Sequence, residues 1–404
     1  MKRLSMILCF LFLGNIGFSR TVYLVKVKAA NKFERTKVAN LVHIDRIKKG
    51  YVTAVVNKAE LKSLQKQFKG KLKVVDSYKA TNLKGHSHSD DYEFPKKDEK
   101  FHTYDEVLTS LKNLAKDYPK TVKVFNIGKS IEARELLGVK ITAGGFSDEL
   151  KKPAMFLVGT HHAREHLSTE IPLLLSKYYA KRIKSEPEFA NFMKNRVIYI
   201  LPLLNPDGAL HDIKGRKYKL WRKNRRVNDG SQYMGVDLNR NYDFRWGQGG
   251  SSKNPSSEVY MGKAPFSEPE TQAIKRFVEN HKNIKTMISF HTYSELILYP
   301  WGGTYDPVPG QELKVFKKMA ETMAKWNNYK PQQSSDLYVA TGDTCDWAYG
   351  VHNIFCFTFE LTPASRFGGG FYPGAKAIDP TFEENKKPVN YLLKYTDDPF
   401  RVLK

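Results

Sequence analysis

Cysteine is scarce in this chain, with three in 404 residues. One of them, Cys9, lies in an apolar run near the amino end. The other two, Cys345 and Cys356, allow a single bond at most, so a disulfide-stapled scaffold is excluded. Long apolar runs are also missing. The longest, residues 4–12, falls short of the roughly 20 residues that a membrane span needs, and no membrane span is expected. Acidic residues are the third shortage: 42 Asp and Glu stand against 66 Lys and Arg, a formal net charge of +24. That excess suggests an anionic partner until its location is considered. It amounts to about +2 in residues 1–19, about +13 in 20–89 and about +9 in 90–404. The long remainder is only mildly basic, so nucleic acid is not an expected partner. Hydrophobic residues make up 41% and aromatic residues 13%, enough for a packed core and against wholesale disorder.

What is present divides the chain into three parts. In residues 1–19, Lys2 and Arg3 precede the apolar run, and Gly17-Phe18-Ser19 supplies a small-residue cleavage site before Arg20. This reads as a signal peptide and predicts a secreted or periplasmic protein. Residues 20–89 read as a small α/β unit, with strands over 22–27, 51–56 and 71–75 and helices over 38–47 and 59–68. Residues 82–100 are polar, lack periodicity and carry Lys84, Lys96 and Lys97. They predict an exposed linker open to proteases.

Residues 90–404 form the third part, and from Phe101 helical and strand patterns alternate. Helices are expected over 104–118, stopped by Pro119, over 173–183, from a Ser267-x-x-Glu270 capping box to about His281, and over 312–326. Strands are expected over 154–159, 197–204, 286–290 and 354–359, with "NPDG" at 205–208 as a turn. The fold class is therefore α/β: a mixed, mostly parallel sheet with helices on both faces, preceded by the small α/β unit.

Ligands of open α/β sheets bind beyond the carboxyl ends of strands. Three expected strands end in ionisable residues: "AMFLVGTHHARE" in His161, His162 and Glu165, "TMISFH" in His291, and "IFCFTFE" in Glu360. His162 and Glu165, three apart, share one side of a tight turn. With His291 they make two imidazoles and a carboxylate, a catalytic zinc ligand set with a fourth position open. The spacing alone also suits a hydrogen-bonded turn capping a helix. Glu360 ends a strand whose Phe355, Phe357 and Phe359 face the opposite way. A carboxylate there is either a general base or one half of a salt bridge. Arginine is dense in "LWRKNRRVN" and "GVDLNRNYDFRWG", where guanidinium forks suit a carboxylate or an oxyanion, or simply a solvated surface.

Together these segments resemble the zinc metallocarboxypeptidases of the carboxypeptidase A/B type. "HHARE", "NPDG", "WRKNR", "GVDLNRNYDFRWG", "PSSEVYMG", "FHTYSELILYPWG", "DLYVATGDTCDWAYG" and "FTFEL" arrive in that family's order, from about Tyr104 to Glu360. "HTYSELILYP" and "WRKNR" look closest to the bacterial carboxypeptidase T branch. The resemblance implies one Zn²⁺ on His162, Glu165 and His291, with Glu360 as general base toward a zinc-activated water. It implies Arg222 as oxyanion donor, Asn239 and Arg240 on the substrate's terminal carboxylate, Tyr338 closing over it, and Arg164 holding the upstream peptide. Asp237 would orient His162, while His161 and His166 fall outside the family's ligand set. Residues 20–89 would be a ferredoxin-like inhibitory propeptide, released by an activating protease. The implied product is a monomeric enzyme acting on peptide or protein C-termini.

Cys345 stands where B-type relatives carry an acidic residue and A-type relatives an aliphatic one. Asp343 stands where the T-type branch places an aspartate and accepts both basic and apolar ends. A dual preference is expected, along with a Cys345–Cys356 bond under the pocket. Two rival readings remain. One is a peptidoglycan-trimming peptidase of the same fold; the other is a non-catalytic polyanion-binding protein, which would have no need of Glu360.

Overall fold

The computed structural model describes residues 20–80 and 91–404. The expected signal segment and residues 82–90 of the expected linker lie outside the described residues. The chain begins with β1 (Arg20–Lys28), α1 (Lys32–Ala39), β2 (Arg46–Lys48), β3 (Tyr51–Val56), α2 (Lys58–Gln67) and β4 (Leu72–Ala80). These strands form their own antiparallel sheet in the order β2-β3-β1-β4. Val25, Val27, Val52 and Ala54 point from it onto Val38 and Leu64 of the two helices, giving the unit a separate core.

The helix expected over 38–47 is not formed. Asn31 accepts the Glu34 N–H and starts α1 earlier, at Lys32. The Asn40 side chain then turns away to accept the Gly250 N–H at 2.7 Å. A turn follows and residues 46–48 run extended as β2, so a tertiary contact overrides the apolar spacing.

The second unit continues with α3 (Tyr104–Asp117), β5 (Val122–Lys129), β6 (Glu135–Ile141), β7 (Ala154–Gly159), α4 (Leu167–Ser185), α5 (Pro187–Met193), β8 (Val197–Leu201) and α6 (Pro206–Ile213). It ends with α7 (Pro269–Asn280), β9 (Ile284–Thr292), β10 (Leu296–Tyr299), α8 (Glu312–Asn327), β11 (Lys330–Gln333), α9 (Thr344–His352), β12 (Phe355–Leu361) and α10 (Ile378–Lys394). The eight strands lie in the order β11-β10-β12-β9-β7-β8-β6-β5. The central four, β12, β9, β7 and β8, are mutually parallel, and antiparallel pairs flank them. Both faces are covered. Met155 and Leu157 of β7 enter one core, while Ala154, Phe156 and Val158 enter the other. Period-two alternation on a strand buried on both sides demands this continuous apolar run.

Three local expectations are corrected. "NPDG" is a helix start: Asn205 accepts the Gly208 N–H and Pro206 opens α6. Ser267 does not cap α7; its hydroxyl donates to Glu268, which itself precedes Pro269. Residues 91–100 are packed rather than loose. Phe94 is in the main core, and buried Asp98 accepts the Tyr218 hydroxyl and the Ala375 N–H.

Candidate active site

The carboxyl ends of β7, β9 and β12 converge, as parallel neighbours must. Glu360 on β12 sits opposite His291 on β9 in the strand register. The β7 strand ends at Gly159, where an added Cβ would lie 2.1 Å from the Ser168 carbonyl oxygen, so only glycine lets the following turn fold back on α4. That turn delivers His162 and Glu165.

The two imidazoles face each other through Nδ1, 3.1 Å apart. Glu165 places Oε1 2.9 Å from His162 Nδ1 and Oε2 3.0 Å from His291 Nδ1. One donor atom from each residue lies within 4.8 Å of the others, and all three side chains are buried. Their far sides are occupied. His162 Nε2 is 3.2 Å from Asp237 Oδ1, and His291 Nε2 is 3.0 Å from Ser289 Oγ. Asp237 can only accept, so His162 carries a proton on Nε2, and the Nδ1 atoms of both rings point inward at Glu165. Two inward nitrogens and one carboxylate fit a zinc ion with an open position. Burial alone would raise the Glu165 carboxyl; the facing imidazoles hold it well below the usual carboxylate range.

Arg222 lies against the same cluster. It is 2% exposed, donates Nε and Nη2 to Asp237 Oδ2 at 3.0 and 2.9 Å, and keeps Nη1 3.8 Å from Glu165. Burial lifts the Glu360 carboxyl to about 7, with His291 opposing and Glu165 adding to the rise. No arginine forms an ion pair with Glu360 among the described residues, which leaves the salt-bridge reading without support.

A cavity of about 410 Å³ opens over these groups. His162, Glu165, Arg222, Glu360, Asn239, Arg240, Tyr338 and Asp343 all line it. His291 stands in the metal cluster below. Arg164 is buried with its guanidinium 4.2 Å from the ring centre of Phe371, which lines the cavity. Asp343 caps α9 through Oδ1, which accepts the Cys345 and Asp346 N–H groups at 3.0 Å. Its Oδ2 is buried without a hydrogen-bond partner, and burial raises its affinity for a proton. Cys345 and Cys356 are bonded, tying α9 to β12 beside Thr358, which lines the cavity.

The remaining wall comes from the first unit. His43, Asp45 and Arg46 line the cavity. Asp45 lies 3.6 Å from Arg164. Arg35 donates to the carbonyls of Leu337 and Asp336 at 2.6 and 2.7 Å, and Val339 N–H donates to Thr36. Tyr338, between those anchor points, packs against the core of the first unit.

A family model for zinc carboxypeptidases matches residues 107–388. The chain belongs to the zinc carboxypeptidase family. This carboxypeptidase is 37% identical over 320 residues to a zinc carboxypeptidase of Saccharothrix mutabilis subsp. capreolus, an alignment covering 77% of this chain and 73% of that protein. It is 36% identical over 301 residues to carboxypeptidase A1 of Rattus norvegicus, covering 73% and 70%. Among solved structures, carboxypeptidase A of Helicoverpa armigera superposes with a TM-score of 0.74 at 25% identity, covering 94% of this chain and 97% of that one. Thrombin-activatable fibrinolysis inhibitor superposes with a TM-score of 0.71 at 25% identity, covering 94% and 100%. Those spans exceed what residues 91–404 alone provide, so they include much of the first unit.

His161 lies outside the ligand set expected from the sequence, and Thr344 and Ser289 have no expected role. His161 is fully buried, with Nε2 2.8 Å from Thr344 Oγ1 and Nδ1 3.3 Å from Ser289 Oγ. The available signal was Ser289 standing two residues before His291, on the same face of β9.

Proposed function

We propose that this zinc carboxypeptidase is a secreted zymogen that removes C-terminal residues from peptides or proteins once the first unit is cleaved away. The observation carrying the proposal is one cavity in which the metal cluster, Glu360, an arginine-rich anchor and residues of the first unit meet. Bound zinc supplies a Lewis acid that polarises a carbonyl and acidifies water. The chain's own residues do the rest. Asn239 and Arg240 grip the terminal carboxylate, an anion that only a chain end presents, and so place the last peptide bond beside Glu360. Glu360, raised by burial, accepts the proton of the attacking water and returns it to the leaving amine. Arg222, held rigid by Asp237, meets the charge that develops on the carbonyl oxygen. Tyr338 closes over the bound end when released from the first unit. Arg164 holds the upstream peptide once freed from Asp45. Asp343 presents an unpartnered oxygen, which favours Lys and Arg ends, while Thr358 and the neighbouring walls accept apolar ends.

Three observations support the zymogen reading. Asp45 of the first unit lines the cavity and contacts Arg164, Tyr338 is engaged by the first unit, and a relative aligned across both units is named for its activation by thrombin. The test is mass spectrometry of a mixed peptide pool given the intact chain, then the chain after limited trypsin treatment, with and without a zinc chelator. Chelator-sensitive loss of single C-terminal residues only after trypsin is the expected result. Equal trimming before cleavage would end the zymogen reading. Activity on muropeptides alone would favour the peptidoglycan-trimming alternative.

A further inference from the structure

We propose that Thr344 and His161 are positioning residues, part of a hydrogen-bond chain that fixes the Asn239 amide and His291 in mutually consistent states. The inference rests on the reading of Asn239 as an anchor for the substrate carboxylate. It goes further by naming what orients that anchor and by linking it to the metal cluster.

The direction of every bond follows from one atom. The Thr344 backbone N–H can only donate, and it lies 2.9 Å from an Asn239 side-chain atom, which must therefore be the oxygen Oδ1. Thr344 Oγ1 is also 2.9 Å from Oδ1, so its single proton points there. The hydroxyl then has only lone pairs left for His161 Nε2 at 2.8 Å, and Nε2 must carry the proton. Tyr242 Oη lies 2.9 Å from the same nitrogen and shares that donor. His161 is fully buried, and with its proton on Nε2 the neutral ring would offer a lone pair on Nδ1. Ser289 Oγ, 3.3 Å away, donates to it and accepts from His291 Nε2 at 3.0 Å. His291 therefore carries a proton on Nε2, which leaves Nδ1, facing His162 and Glu165, as the nitrogen a metal would take.

The other end requires the same order. A histidine that offers Nδ1 to a metal must protonate Nε2, which makes Ser289 an acceptor there and a donor toward His161. The two ends agree without adjustment. The consequence at the cavity is specific. With Oδ1 held by two donors, the Asn239 NH₂ group is the part left facing the cavity, and it makes no hydrogen bond among the described residues. An amide flipped the other way would present an oxygen to the substrate's carboxylate and repel it.

The test compares Thr344→Val, Thr344→Ser and Asn239→Ala with the unaltered chain. Nitrogen-15 NMR of labelled histidines in the intact, zinc-loaded chain should show His161 as the neutral Nε2–H tautomer. After limited trypsin treatment, Thr344→Val should raise KM for a peptide with a free C-terminal carboxylate about tenfold, the worth of one hydrogen bond, with kcat within about twofold. Thr344→Ser should restore KM. A raised KM in Asn239→Ala with an unchanged KM in Thr344→Val would overturn the positioning role while sparing the anchor. An unchanged KM in Asn239→Ala would overturn the anchor and this proposal together. His161 found as the Nδ1–H tautomer would overturn the chain of donors.

Discussion

Asp237 holds Arg222 with one carboxylate oxygen and His162 with the other: Arg222 donates two N–H groups to Oδ2, and His162 Nε2 approaches Oδ1. Asn239 N–H also donates to Oδ1, at 3.0 Å. One buried anion thus orients a metal ligand, the proposed oxyanion donor and the proposed anchor. Asp237→Asn should weaken zinc binding about 10–100-fold, as loss of such a partner does elsewhere. Chelator competition measures this. Unchanged affinity would show that His162 needs no orienting carboxylate.

Arg222 should matter more to the reaction than to binding. Replacing it with Gln removes the donor proposed to meet charge present only in the transition state. The expected loss is about 10²-fold or more in kcat with KM little changed. Steady-state kinetics on a single peptide separates the two. A rise in KM with kcat preserved would reassign Arg222 to ground-state binding.

The acid limb of the pH profile should belong to Glu360. Burial raises its carboxyl to about 7, and a base works only when ionised, so activity is lost as pH falls through its value. The positive charge of zinc stabilises the ionised form and moves the limb below 7. The expected kcat/KM profile therefore falls on the acid side with a midpoint under 7, and Glu360→Gln abolishes turnover at every pH. A limb centred above 7 would contradict this.

Specificity should turn on Asp343. Asp343→Asn keeps the cap of α9 but removes the charge, so kcat/KM for Arg and Lys ends should fall at least tenfold while Phe and Leu ends change little. Competition between peptides ending in Arg and in Phe reads the ratio directly. If the substitution leaves the ratio unchanged, the dual preference does not depend on Asp343.

Asp45 is proposed to help hold the cleft shut. Asp45→Ala leaves Arg164 with Glu258 at 3.7 Å as its remaining ion-pair partner among the described residues. Loss of a buried charge pair should raise the open fraction, and the activity of the uncleaved chain, about tenfold. Activity assayed before any protease treatment is the measurement, and no increase would place the closure elsewhere.

Much of this was legible in the residues. That His162, Glu165, His291 and Glu360 meet in one place could be read because ionisable groups at the ends of apolar strands are costly without a task. The parallel centre of the sheet followed from continuous apolar runs such as residues 154–159. The antiparallel flanks were not read. In β5, Lys123, Asn126 and Lys129 stand exposed among apolar residues and blur the strand pattern. Helix α10 was missed because Pro388 interrupts an otherwise clear apolar spacing. Thr344, Ser289 and His161 were hardest to interpret. Their meaning lies in contacts between β7, β9 and α9, distant segments that no local pattern joins.

The central claim is that the cavity recognises a chain end through its carboxylate. Hydrolysis of one peptide as its free acid and as its C-terminal amide, by the zinc-loaded, trypsin-treated chain, tests it most directly. The account predicts release of the last residue from the acid and at least a hundredfold slower reaction with the amide. Comparable rates on both would contradict it.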